Sequence, residues 1–227
     1  MGLAHTPSDL EQLYKKRFAG KSAYRQRVWQ VLVTYFARWI APGSTVLDLG
    51  AGYCEFINQV AAAKKYAMDL NPDVRSQASS DVEILEQDCS EPWAVPAGSL
   101  DAVFTSNFFE HLPTKAHLEQ TLTEARRCLK EGGCLVALGP NIKYLPGEYW
   151  DFFDHYLPLT EMSLTEVMEK CGFHVETSIA RFLPYTMSHG REYPTWCLRA
   201  YLSMPAAWQF FGKQFLVVAR KSAPPPR

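Results

Sequence analysis

The 227-residue chain has no apolar run of the roughly 20 residues that a membrane-spanning helix needs. Its best candidate, Val28 to Ile40, is broken by Gln30, Thr34 and Arg38, so no integral membrane segment is expected. The first residues (MGLAHTPSDL) lack the basic-then-apolar order of a secretory signal, and Thr6 fits a myristoylation site at Gly2 only loosely. Positive charge is not in surplus. Lys and Arg number 23 against 24 Asp and Glu, a formal net charge of −1, which argues against a grip on a nucleic acid backbone. The six cysteines, Cys54, Cys89, Cys128, Cys134, Cys171 and Cys197, include no C-x-x-C pair, so neither a zinc site nor a redox motif is indicated. No group of His, Asp and Glu has metal-ligand spacing, His155 with Asp151 and Asp154 included, and no metal is expected. Buried free thiols in a reducing compartment remain, which makes the expected location cytoplasmic.

Apolar residues at 47% and charged residues at 21% exclude disordered and fibrous classes. The length suits one generous domain, or one domain with a lid. Apolar residues recur at three- and four-residue steps over Ser22 to Ile40, a helix pattern closed by Ala41-Pro42-Gly43-Ser44. Alternation of strand and helix follows. Strands are expected at Thr45–Leu49, Lys65–Leu70, Val82–Glu86, Leu100–Ser106, Cys134–Leu138, Phe173–Arg181 and Gln214–Arg220. Helices are expected at Glu55–Ala63, at Thr114–Lys130 with Glu131-Gly132-Gly133 as its stop, and at Leu164–Cys171 before Gly172. The tail 222–227 (SAPPPR) reads as a disordered end.

Strands alternating with helices imply a mostly parallel sheet with helices on both faces, and ligands then sit past the carboxyl ends of the strands. Four strand ends carry informative residues. The first is Asp48-Leu49-Gly50-Ala51-Gly52, where glycines permit a sharp turn and close ligand approach. The sixth position of a dinucleotide fingerprint would be Glu55 rather than Gly, which disfavours NAD or FAD because a pyrophosphate would face a carboxylate. Asp69, at the second strand end, stands where an acid reads ribose hydroxyls; the alternative is a cap before Asn71-Pro72-Asp73. Asp88 with the Cys89 amide suits a purine edge, or else a simple turn. The fourth end is Ser106-Asn107-Phe108-Phe109-Glu110-His111-Leu112.

In this order on successive strands, Val46-Leu47-Asp48-Leu49-Gly50-Ala51-Gly52, Met68-Asp69-Leu70, Gln87-Asp88-Cys89, Ser106-Asn107-Phe108-Phe109-Glu110-His111-Leu112 and Leu129-Lys130-Glu131-Gly132-Gly133 resemble the class I S-adenosylmethionine-dependent methyltransferases of small-molecule type. The resemblance covers about Ser44 to Gly172. It implies a three-layer, Rossmann-like α/β fold: a seven-stranded, mostly parallel sheet with an antiparallel last strand and helices on both faces. It implies residues 1–43 as an N-terminal helical segment covering the site, and 44–221 as the methyltransferase domain. Aromatic-rich substrate loops then lie at about 139–163 and 182–213.

The cofactor implied is S-adenosyl-L-methionine. Asp48, Gly50, Ala51 and Gly52 would pass beneath its methionine part, Asp69 and Leu70 would meet the ribose, and Asp88 with Cys89 the adenine. Ser106 or Asn107 would hold its amino group, and Arg25 would reach its carboxylate, with Tyr14 and Tyr24 as neighbours of the same kind. The family often has Gly where Cys54 stands. For acceptor binding the implied residues are Phe108, Asn141, Tyr144, Tyr149, Trp150 and Tyr185, with Phe108, Tyr144 or Trp150 offering a ring to the sulfonium. An oxygen acceptor needs a base: His155 first, His111 second, with Asp154 or Asp151 orienting the imidazole. An amine that binds neutral needs none.

The function implied is methyl transfer to an oxygen, or a nitrogen, of a small acceptor such as a sugar, a glycan intermediate or a secondary metabolite. The alternative is a methyltransferase-like binding or scaffold protein without transfer. Expected partners are the small-molecule acceptor, no nucleic acid, and at most a weak homo-oligomer. The segment 182–213 reads as a lid, a core helix or a membrane or partner patch.

Overall fold

The computed structural model describes residues 22–185 and 192–222. Tyr14, the Gly2 site, Thr186, Met187 and tail residues 223–227 lie outside these. Helix α1 spans Ser22–Phe36 and ends earlier than its apolar period suggests, tightening into a turn where the N–H groups of Trp39 and Ile40 both donate to the Phe36 carbonyl. Then come β1 (Thr45–Leu49), β2 (Lys64–Met68), a single-turn α2 (Val74–Gln77), β3 (Val82–Leu85) and β4 (Leu100–Ser106). After these lie α3 (Lys115–Cys128), β5 (Leu129–Pro140), α4 (Glu161–Lys170) and β6 (Phe173–Leu183). The chain closes with α5 (Thr195–Leu202), α6 (Pro205–Phe211) and β7 (Gln214–Lys221).

The seven strands form one sheet in the order β3-β2-β1-β4-β5-β7-β6. All neighbours are parallel except β7, which runs antiparallel to both β5 and β6. This is the expected Rossmann-like architecture with its antiparallel last strand. Side chains alternate between the two faces, as pleating requires. Leu47, Leu49, Val103, Leu135 and Val217 pack toward α3 and α4. Val46, Ala102, Phe104, Val136 and Leu216 pack toward α1, α5 and α6. Burial on both sides explains why the central strands read as unbroken apolar runs.

Two local expectations fail. Residues 55–63 form a string of turns instead of a helix. Cys54 adopts a left-handed φ of 58°, and the side chain of Asn58 bonds the Gln77 carbonyl and the Ser79 amide, which draws the backbone away from a regular ladder. The glycines of Glu131-Gly132-Gly133 do not end α3; the helix stops at Cys128, and Leu129 already pairs with Leu100 as the first residue of β5. The register then jumps from Leu100↔Leu129 to Ala102↔Cys134, so residues 130–133 bulge out of the strand, with Gly132 at φ 76°.

Chain order reverses between β1 and β4, which are neighbours at the middle of the sheet. Crevices for ligands open at such a point, outside the carboxyl ends of the strands.

Candidate active site

The turn after β1 is held from beneath. The N–H groups of Gly50 and Ala51 both donate to the Met68 carbonyl, at 2.9 and 3.1 Å, and Gly50 and Gly52 take φ values of 71° and 50°. Phe108 lies against this turn: a Cβ on Gly50 would run into its ring. Gly52 donates its N–H to Asp69 Oδ2 at 2.7 Å, and Asn71 donates to Oδ1 at 2.8 Å. Burial pushes the Asp69 carboxyl above its ordinary value, against the pull of N–H groups from Asn71, Gly52 and Leu70. Half-buried Leu70 follows it.

Asp48 alternates in phase with Val46, which puts its side chain on the α1 face. Burial pushes its carboxyl well above the usual range; the charge of Asp69 adds to this, and an N–H from Ile57 opposes it. Across from it, Arg25 of α1 grips Glu55 through two contacts of 2.7 Å. Burial also raises the Glu55 carboxyl, less so because Arg25 stands beside it.

Arg25, Asp48, Glu55 and the glycine turn wall a cleft of about 120 Å³, whose side is formed by Trp29, Phe56 and Phe104; Asp69 and Leu70 stand outside its lining. Phe56 stacks on Phe104 with centroids 3.7 Å apart, and Trp29 meets Phe104 edge-on. A second, mainly apolar chamber of about 680 Å³ adjoins it, lined by α1, α5 and the ends of β5 and β6. Arg25, Trp29, Ser106, Asn107, Tyr185 and Gln214 line both. Three polar atoms on this shared wall, Trp29 Nε1, Asn107 Oδ1 and Gln214 Oε1, are buried with no hydrogen-bond partner among the described residues. Gln214 is fixed in rotation because its Nε2 donates to the Pro184 carbonyl. Asn107 takes a left-handed φ of 51°, donates its N–H to the Leu138 carbonyl, and donates Nδ2–H to Ser106 Oγ. A guanidinium, two carboxylates and unmatched acceptors around one cleft form a donor set that suits a zwitterionic amino acid group. The side-chain-free glycine turn leaves room for it to lie close.

Glu110 and His111 sit in a short 3-10 turn after β4, and His155 lies on the loop after β5; all three line the cleft. His111 Nδ1 is 2.8 Å from the Asp154 carbonyl oxygen and 3.2 Å from Asp154 Oδ2. Asp154, expected with Asp151 to orient the imidazole of the base, stands against His111, the second candidate. Asp151 is exposed.

Not all expected residues gather here. Asp88 Oδ1 accepts from Ser90 N and Ser90 Oγ, both at 2.8 Å, which are the bonds of a turn. The Cys89 thiol faces Thr121 Oγ1 at 3.3 Å, and burial pushes it up to about 12. Of the six residues expected for the acceptor, Tyr185 alone lines the two cavities. Asn141 is fully buried, with Nδ2 donating to Glu161 and to the Ala180 carbonyl. Tyr144 lies under the Arg181 guanidinium, and Trp150 is 57% exposed. Tyr149 is buried and packs on His155 at 4.6 Å, so it supports a site residue rather than a ligand. Trp29, Tyr53, Glu110 and Gln214 belong to the wall and were not expected there. The helical period that placed Arg25 on α1 also carries Trp29 one turn later, a signal that could have found it.

A profile described as a methyltransferase domain matches residues 22–178. Over 112 residues the chain is 32% identical to a malonyl-acyl-carrier-protein O-methyltransferase of Paenibacillus sp. (strain JDR-2), covering 42% of this chain and 39% of that one. A second curated relative is covered over 63% of its length. The fold is similar to a methyltransferase solved with the Trm112 methyltransferase activator of Haloferax volcanii (TM-score 0.67, 18% identity, 92% of this chain and 98% of that one). It is also similar to an S-adenosylmethionine-dependent methyltransferase of Archaeoglobus fulgidus (TM-score 0.64, 19% identity, 93% and 99%).

Proposed function

The chain belongs to the class I S-adenosylmethionine-dependent methyltransferases, and on that premise we propose that it methylates an oxygen of a small, largely apolar acceptor. The observation that carries this reading is the wall shared by the two cavities: the charged cleft at the switch point and the apolar chamber have six lining residues in common. Donor and acceptor can then meet along Ser106, Asn107, Tyr185 and Gln214.

S-adenosylmethionine supplies a methyl carbon on a positively charged sulfur that leaves as a neutral thioether. Arg25 binds its carboxylate, and Asp48, Asn107 and Gln214 accept from its ammonium group. Asp69, whose carboxylate already collects backbone N–H groups, turns its remaining lone pairs to the ribose. Asp88 Oδ1 is taken by the Ser90 turn, so its Oδ2 and the Cys89 amide are what the adenine would meet, outside the lining of the cleft. Trp29, Phe56 and Phe104 keep water from the reacting atoms. Fixing the acceptor oxygen in line with the methyl carbon is the largest contribution the walls make, up to roughly 7–11 kcal/mol in favourable cases. Glu110, His111 and His155 form a polar corner beside the acceptor, and that corner favours oxygen over nitrogen as the methylated atom.

The chamber disfavours a sugar, whose many hydroxyls would stay unmatched against Val28, Leu32, Leu138 and Leu198. A panel of acceptors offered with methyl-labelled cofactor tests the reading. Label should pass to apolar phenols and alcohols. Transfer confined to amines or sugars would contradict it, and cofactor binding without transfer to any of them would favour the scaffold alternative.

A further inference from the structure

Glu110, His111 and His155 each offer one ligand atom, a carboxylate oxygen and two imidazole nitrogens, and these atoms all lie within 4.8 Å of one another. We propose that this cluster binds a divalent transition-metal ion that orients and acidifies the acceptor hydroxyl, an inference that rests on the methyl-transfer reading above. The sequence expectation of no metal considered spacing along the chain; the fold closes the gap between His111 and His155.

Three features set the cluster apart from an accidental meeting of polar side chains. The first is the tautomer of His111. A carbonyl oxygen can only accept, so the 2.8 Å contact with Asp154 places a proton on Nδ1 and makes Nε2 the nitrogen that would bind a metal in the neutral ring. A carbonyl or carboxylate behind the imidazole is the usual support of a metal-ligating histidine, and Asp154 brings both. The second is rigidity. The N–H groups of Tyr156 and Leu157 both donate to the Glu110 carbonyl, at 2.8 and 3.0 Å, which ties the loop of His155 to the turn of Glu110 and His111. Phe152 stacks on the His155 ring, and Tyr149, anchored through its hydroxyl to the Leu157 carbonyl, packs against it. The third is access. Glu110 and His155 are only 3% and 5% exposed, yet all three residues line the cleft, so an ion held by them would be reached from it.

Two imidazoles with one carboxylate suit Mn(II), Fe(II), Co(II) or Zn(II) better than Mg(II) or Ca(II), which favour all-oxygen sites. The balance of the step is simple. The hydroxyl proton passes to water, the oxygen–methyl bond forms as the sulfur–methyl bond breaks, and sulfur keeps that electron pair. The cation makes the first of these possible near neutral pH.

Chelator-treated full-length protein titrated with Co(II) tests the proposal, with S-adenosylhomocysteine affinity measured on the same samples. Expected is one ion per chain, followed by calorimetry and visible absorption. Asp154→Asn should weaken it about 10-fold or more and His155→Ala further, while S-adenosylhomocysteine affinity stays within about twofold. The Co(II)-loaded wild type should also show two strongly shifted, exchangeable imidazole N–H proton signals, a readout that needs no variant. No saturable binding up to about 1 mM Co(II), or binding without shifted imidazole signals, would overturn the site. If that happens while S-adenosylhomocysteine still binds, the metal alone is refuted. If Co(II) binds and S-adenosylhomocysteine does not, the methyl-transfer reading on which the ion's role depends is overturned.

Discussion

Arg25 of α1 and Glu55 of the turn after β1 face each other through a two-point contact, with Nη2 and Nε each 2.7 Å from a carboxylate oxygen. Their side chains are 10% and 13% exposed, and both line the cleft. The pair fastens the first helix over the glycine turn and sets the guanidinium at the wall of the cleft.

Arg25→Met should therefore reduce both stability and cofactor affinity. An unpaired carboxylate left in this wall costs about 3 kcal/mol at pH 8. Glu55 already holds its proton more tightly than usual, so the cost should shrink as pH falls and the carboxyl becomes neutral. Urea unfolding at pH 8 and pH 5 measures the difference. S-adenosylhomocysteine affinity should drop at least about 10-fold.

Asp48→Asn should stabilise the ligand-free protein. The folded carboxyl lies above its ordinary value, mainly through burial, so the folded chain binds the proton more tightly than the unfolded chain does. The stability from this group is complete below the ordinary value, about 4, and is lost as pH rises through the folded value. Asparagine removes that loss and still accepts from Ile57. The variant should gain on wild type as pH climbs from 4 to 8, reaching about 1–3 kcal/mol in urea unfolding, and should bind S-adenosylhomocysteine more weakly.

Gly50→Ala should destabilise by about 2–4 kcal/mol, combining an unfavourable φ of 71° with a Cβ pressed into the Phe108 ring. Phe108→Ala in the same chain should recover the steric part but not the backbone part. Additive losses in urea unfolding of the double variant would show that the ring and the turn do not touch.

Leu198→Trp should narrow the apolar chamber without reaching the glycine turn. Acceptor kcat/KM should fall at least about 10-fold, while S-adenosylhomocysteine affinity remains unchanged. An unaltered kcat/KM would place the acceptor elsewhere.

The sequence made some of this legible and hid the rest for physical reasons. Thr45–Leu49 and Leu100–Ser106 are read to the residue because they are buried on both faces and bounded by polar turns. The run 55–63 misleads because its apolar spacing is helical, while the left-handed Cys54 and the bonds of Asn58 decide the backbone. Asp48, Gly50, Ser106 and Asn107 are legible because they stand at the carboxyl ends of parallel strands. Gln214 escapes that rule because β7 runs the other way, so its first residue, opposite Pro140, reaches the same edge of the sheet. The meeting of His111 with His155 depends on how the loop after β5 folds back, which no local pattern records.

A crystal structure with S-adenosylhomocysteine decides whether the glycine turn and the wall around it hold the cofactor. The amino acid end of the ligand should lie among Arg25, Asp48 and Asn107, its ribose on Asp69, and its sulfur should face the chamber beside Tyr185. Density for the ligand away from the glycine turn, or a turn that keeps its distance from the ligand while Asp69 remains on Gly52 and Asn71 alone, would contradict this.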